Sequence, residues 1–247
     1  MVDSVTLLAT LWAVVRLPRL PVESASSRAG LRSVVDGLAY LRQHPVLLMS
    51  FVVDIIAMVF GMPRALFPEI ADISFGGPPG GGLAFALLFA GLPAGAVLGG
   101  VFSGWVSRVD RQGLAVFWAI IVWGVAMTGF GVAVGMADRW LGVMLAVAVL
   151  MLVLGGAADM ASSAFRTSML QGAAADQVRG RLQGVFIVVV AGGPRIADIA
   201  HGAAASRYGA PVTAAAGGVL VVVVTALVCL VFPGFIRFRL SQVPSSR

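Results

Sequence analysis

Charge is scarce in this chain, and one kind of it is missing. Of 247 residues only 11% are charged, against about 25% in an ordinary soluble domain. No lysine occurs, so all 17 basic residues are arginine. With Ala, Gly and Val so abundant, that absence reads as codon usage and carries no functional meaning. Cysteine occurs once. Cys229 lies in an apolar run, excludes an internal disulfide and reads as a small buried hydrophobe. The two histidines, His44 and His201, are far apart and have no cysteine or carboxylate at ligand spacing, so no metal site is expected. No phosphate loop, Gly-x-Ser-x-Gly or His-Glu-x-x-His pattern appears, and no nucleophile–base pair. The glycine-rich stretch 76–82 lacks the Lys-Ser/Thr of a phosphate loop. The expectation is a protein that is not an enzyme and takes no cofactor. A cleavable signal peptide is not expected either, because Asp3 comes first and the arginines follow the apolar run.

What is present is apolar. Hydrophobic residues make up 59% of the chain, and mean hydropathy is +0.98. Too few polar residues remain to cover a water-facing surface, so the bilayer is the natural solvent. A spanning helix needs about 20 apolar residues. Long apolar runs predict spans at 46–68, 83–106, 114–136, 140–163, 184–205 and 211–236. An earlier run, Val5 to Val15, is too short to span and looks like the last part of a span. Leu17-Pro18-Arg19-Leu20-Pro21 stops any helix there. Over 28–43, Leu31, Val34, Val35, Leu38 and Leu41 recur at helical spacing, with Arg28, Arg32, Asp36 and Arg42 off that face. This predicts an amphipathic helix, capped by Ser26 or Ser27. It would lie on the membrane surface or pack on a protein core. Trp105 and Trp140 fall near span ends, as an interfacial belt requires.

The arginines alternate. Thirteen fall in one set of alternate loops and two in the other, leaving Arg64 and Arg195 inside spans. The positive-inside rule places the thirteen in the cytoplasm. The expectation is a multi-pass protein of the cell's inner (cytoplasmic) membrane with a cytoplasmic C-terminus. Spread this way, the basic residues do not read as a nucleic-acid surface.

Several stretches carry a resemblance. Gly61-Met62-Pro63-Arg64-Ala65-Leu66-Phe67-Pro68 ends the first full span. Gly104-Trp105-Val106-Ser107-Arg108-Val109-Asp110-Arg111-Gln112-Gly113 links the next two. Val178-Arg179-Gly180-Arg181-Leu182-Gln183-Gly184 precedes the fifth, and Gly192-Gly193-Pro194-Arg195-Ile196-Ala197-Asp198 lies within it. From about residue 2 to 240 the chain resembles the C-terminal half of a major facilitator superfamily exporter, in the branch that contains the bacterial enterobactin exporter. In the linking turn Ser107 stands where the superfamily's pattern places Asp. The resemblance implies an all-α membrane protein: a six-span bundle, half of a major facilitator fold, preceded by a partial helix and an amphipathic linker helix. Residues 1–17 would be the end of the sixth span, 18–45 the cytoplasmic linker, 46–236 spans seven to twelve, and 237–247 a cytoplasmic tail. It further implies proton-coupled efflux of a small hydrophobic or amphipathic molecule, of siderophore or drug type. Partners would be the lipid bilayer, the substrate, protons, and an N-terminal half or a second copy completing the cavity. The alternative is a truncated, non-transporting protein that pairs with or regulates a full-length transporter.

Ionisable groups inside spans mark the expected site, since each costs roughly 3 kcal/mol at the bilayer centre. Asp54, Arg64, Arg195 and Asp198 are assigned to a substrate or proton pathway. Asp54 reads as a proton carrier or as half of a salt bridge. Arg64, flanked by Pro63 and Pro68, reads as part of a gate or as a snorkelling interfacial arginine. Arg195 and Asp198, at i and i+3 on one helix, read as a midplane site or a self-neutralising pair. Gly192, Gly193 and Pro194 just before them read as a midplane helix break or as close packing by small residues. Arg108, Asp110, Arg111, Asp159, Arg166, Arg179 and Arg181 are assigned to a cytoplasmic gating network, against the reading of solvated loop charge.

Overall fold

The computed structural model describes Trp12, residues 31–173 and 176–239, and Ser241. Apart from Trp12, the expected partial helix lies outside the described residues, as do the Ser26/Ser27 cap and the tail beyond Ser241. Among the described residues every regular element is helical. The order is α1 (Leu31–Gln43), α2 (Pro45–Gly61), α3 (Gly82–Val101), α4 (Gln112–Gly135), α5 (Leu141–Ala173), α6 (Asp176–Tyr208), α7 (Ala210–Val231) and the short α8 (Pro233–Arg237). Beyond Gly61 the chain runs on through a 3₁₀ turn (Pro63–Leu66), one α turn (Phe67–Glu69) and a π turn (Ile70–Ser74).

Six helical stretches are long and apolar enough to cross a membrane: Pro45–Ser74, Gly82–Val101, Gln112–Gly135, Leu141–Gly172, Gly184–Tyr208 and Ala210–Val231. The chain is a multi-pass, all-α membrane protein. Its outer faces suit lipid. Leu83, Val97, Val125, Val143, Ile199 and Leu230 are more than half exposed. Such a surface is unfavourable in water and costs nothing against hydrocarbon.

With no hydrophobic drive between helices in lipid, close backbone approach must hold them together. On α3, Gly91, Gly95 and Gly99 repeat at four-residue spacing along the face turned to α5. A Cβ on Gly95 would lie 2.0 Å from the Val153 carbonyl oxygen, and one on Gly156 of α5 would lie 2.1 Å from that of Leu92. The two helices therefore meet backbone to backbone. Around this seam the core is aromatic: Phe67 meets Phe89 edge-on at 5.4 Å and Phe130 at 5.7 Å. These rings, with buried Leu88, Trp123, Met127 and Leu152, join the end of the first span to α3, α4 and α5.

The amphipathic helix is present as α1. Leu41 is fully buried in a cluster with Leu47 and Phe51 of α2 and Leu182 and Val185 of α6. Val35 and Leu38 remain exposed. One edge of the stripe thus packs on protein, while the other is bare.

Candidate functional site

The first span is broken where Pro63 and Pro68 interrupt it, because proline supplies no N–H to the helical ladder. Three neighbouring helices hold the end of α2. The Trp123 indole of α4 donates to the Ala57 carbonyl at 3.3 Å. His201 of α6 sits against the Phe60 and Met62 carbonyls. Gly217 of α7 brings its backbone so close that a Cβ would lie 2.2 Å from the Phe60 carbonyl oxygen.

One face of α2 carries Asp54, and its partner is Arg166 of α5. The two form an ion pair with both side chains almost fully buried. The sequence reading placed Asp54 in the pathway and Arg166 in a cytoplasmic network; the structure brings them together. The Arg166 Nε has no hydrogen-bond partner among the described residues. Two turns earlier on α5, Asp159 lies within the electrostatic reach of both Arg166 and Asp54. Nearby, Gln112 of α4, fully buried, donates to the Ser168 hydroxyl at 2.8 Å and ties the start of α4 to the end of α5. Sequence reasoning missed Gln112, since a lone amide at a helix start has no distinguishing signal.

Arg64 and Asp159, assigned to separate groups from the sequence, line one cavity of about 250 Å³. Phe67, Phe89 and Trp123 form its aromatic wall. Pro93 and Gly156, from the α3–α5 seam, also line it. The Arg64 guanidinium carbon stands 5.8 Å from the Phe89 ring centroid, within cation–π range. Both charged side chains are exposed, one of each sign. Apolar walls with a few placed charges make an arrangement suited to an amphipathic small molecule.

Arg195 and Asp198 lie on α6 away from this cavity's lining. Arg195 is exposed and Asp198 half-buried, and neither joins an ion pair among the described residues. Gly192, Gly193 and Pro194 lie inside α6, which runs unbroken from Asp176 to Tyr208. Gly193 is buried beside Met58 of α2.

Of the loop charges, Asp110 has the most defined surroundings. Its carboxylate accepts the Ser241 backbone N–H at 3.0 Å and lies 3.6 Å from the Arg239 guanidinium. The Ser241 hydrogen bond is the main reason its pKa lies below the ordinary carboxylate value of 3.8, with Arg239 and Arg111 adding to it. Gly113 makes this docking possible, since a Cβ there would lie 1.8 Å from the Phe235 carbonyl oxygen. Arg108 is exposed and forms no ion pair among the described residues. Arg179 and Arg181 fall on α6, but their side chains lie outside the described ones.

The molecule thus defines a class: a six-span helical membrane bundle with a charged, aromatic-walled cavity at a broken first span. Comparison with known proteins agrees with the resemblance read from the sequence. The chain is 24% identical over 230 residues to the enterobactin exporter EntS of Escherichia coli O1:K1, and equally to that of Shigella boydii serotype 18. In both cases the match covers 93% of this chain and 52% of the relative. The chain therefore spans about half the length of the curated relatives it matches. No family model matches it. No solved structure matches it.

Proposed function

We propose that this chain is half of a proton-coupled efflux permease for a small hydrophobic or amphipathic molecule, of siderophore or drug type. The observation that carries the reading is the buried Asp54–Arg166 pair bridging α2 and α5 beside the Arg64–Asp159 cavity. Likeness to enterobactin exporters supports it. In this reading a proton on Asp54 neutralises it and frees Arg166. Asp159, two turns along α5, is the next anion available to the guanidinium. The switch couples the protonation of one span to the position of another, as alternating access requires. Arg64 holds an anionic group of the cargo and the aromatic wall holds its apolar part. The other wall of the pathway comes from an N-terminal half or a second copy. The thirteen arginines of one loop set support a cytoplasmic C-terminus.

The test is efflux from vesicles carrying the chain together with its complementary half, driven by an imposed pH gradient. Wild type should respond to the gradient. Asp54→Asn should retain binding and lose that response. Gradient-driven efflux unchanged in Asp54→Asn and Asp159→Asn would sink the assignment.

A further inference from the structure

Two opposite charges share the cavity without neutralising each other. Arg64 and Asp159 both line it and both are exposed, yet neither joins an ion pair among the described residues. Arg64 stands against the aromatic wall instead, with its guanidinium carbon 5.8 Å from the Phe89 ring centroid. Arg166, the cation within electrostatic reach of Asp159, is already paired with Asp54.

The rest of the lining offers little that is polar. No other charged side chain, hydroxyl or amide side chain is found among the described lining residues. The Trp123 N–H is spent on the Ala57 carbonyl at 3.3 Å, so this residue brings a ring and not a donor. Gly155 lets that ring pack close to α5, one turn before Asp159: a Cβ there would lie 3.4 Å from Trp123 Cε3. Pro93 inside α3 has no N–H, so the carbonyl of Phe89, one turn back, loses its helical partner. The lining residues thus supply one fixed cation, one carboxylate, a spare carbonyl and aromatic rings.

A charge enclosed by apolar walls is costly unless a counter-charge meets it. An aromatic anion satisfies Arg64 and sets its own charge against Asp159. An aromatic cation does the reverse, and a neutral aromatic leaves both charges unmet. A molecule with both signs on one ring meets both and adds no net charge. Size agrees, since an apolar cavity of about 150 Å³ holds benzene and this one, of about 250 Å³, has room for a ring and its charged arms. We infer that the cavity selects a compact aromatic zwitterion. Its anionic group sits on Arg64, its ring against Phe67, Phe89 and Trp123, and its cationic group on Asp159. Arg64 and Asp159 are then the specificity-determining pair. That such a molecule is also the cargo rests on the export reading above; the selectivity itself is an equilibrium property of the cavity.

The test titrates the full chain in lipid nanodiscs, without a gradient, using three probes of nearly one shape. They are zwitterionic 4-(aminomethyl)benzoate, anionic 4-methylbenzoate and cationic 4-methylbenzylammonium, with dissociation constants read by ligand-observed NMR. The zwitterion should bind about tenfold more tightly than either singly charged probe, the factor for one further hydrogen bond to a charged group. Asp159→Asn should remove that advantage and leave the anion bound as well as before, or better. Arg64→Gln should remove it too and spare the cation in the same way. The spared probe shows that each variant is folded; if neither folds, the wild-type ranking decides alone. A zwitterion bound no more tightly than the better singly charged probe would overturn the inference. So would an Asp159→Asn variant that weakens anion and zwitterion alike. Either result strikes the zwitterion alone, because the export reading is judged by gradient-driven efflux and not by the charges a probe carries.

Discussion

Replacing Asp54 by Asn leaves the Arg166 guanidinium buried with its main counter-ion gone. Asp54 is 4% exposed and Arg166 6%, so water can do little to compensate. Two unit charges about 4 Å apart attract by about 4 kcal/mol at an effective dielectric constant of ~20. Breaking a buried pair from one side costs about 3–5 kcal/mol. Asp159 offers a partial substitute two turns away, which places Asp54→Asn toward the lower end of that range. Arg166→Met should behave differently, because a stranded carboxylate can take up a proton whereas a guanidinium cannot lose one. Its cost should therefore shrink as pH falls, and that of Asp54→Asn should not. Asp54→Leu with Arg166→Met removes both desolvation penalties and should return within about 1 kcal/mol of wild type, or exceed it. The assay is a double-mutant cycle on unfolding free energy in lipid or detergent. Strictly additive single effects, with coupling under about 0.5 kcal/mol, would refute the buried pair.

Further expectations concern the seam, the cavity and the tail. Gly95→Val places side-chain atoms where the Val153 carbonyl stands. It should cost at least the roughly 1–3 kcal/mol of ordinary overpacking, read as a lower melting temperature, whereas Gly104→Val, with open space around it, should cost far less. In the cavity, Arg64→Gln should weaken binding of anionic aromatic probes more than of neutral ones, measured by quenching of Trp123 and its neighbours; equal loss for both would dissociate Arg64 from charge recognition. For the tail, the pKa of Asp110 lies below 3.8 in the fold. Its contribution to docking is thus present above the unfolded value and lost as pH falls through the folded one. Trypsin nicking at Arg237 and Arg239 should stay slow at pH 5 in wild type and be fast in Asp110→Asn.

The six spans were legible because composition alone demands them, and hydropathy locates apolar length well. Their ends were less so. The first was expected to stop at 68 and the fourth at 163, yet helix continues to Ser74 and Ala173. Polar residues such as Glu69, Asp72, Arg166 and Gln171 end an apolar run without ending a helix. The second and sixth erred the other way. Beyond Val101 the chain tightens into a 3₁₀ turn, and α7 stops at Val231, two residues before Pro233. The site divides along similar lines. Arg64 and Asp54 stood out as charges inside spans. The partnership of Asp54 with Arg166 did not, because it joins residues far apart in sequence and depends on how helices are packed. The two carbonyls facing His201 have no side-chain signature at all.

The length of α5 has a consequence in lipid. Its 33 residues extend about 50 Å, whereas the hydrocarbon layer is about 30 Å thick. A tilt within the usual range cannot absorb the difference. With exposed Trp140 anchoring one end at the interface, hydrocarbon runs out near Ala161, about 20 residues along. Arg166, a further turn and a half on, then lies in the headgroup layer. A thicker bilayer would draw its pairing with Asp54 into hydrocarbon, and a thinner one would hydrate it. Bilayer thickness thereby becomes a physical variable acting on the strength of this one ion pair.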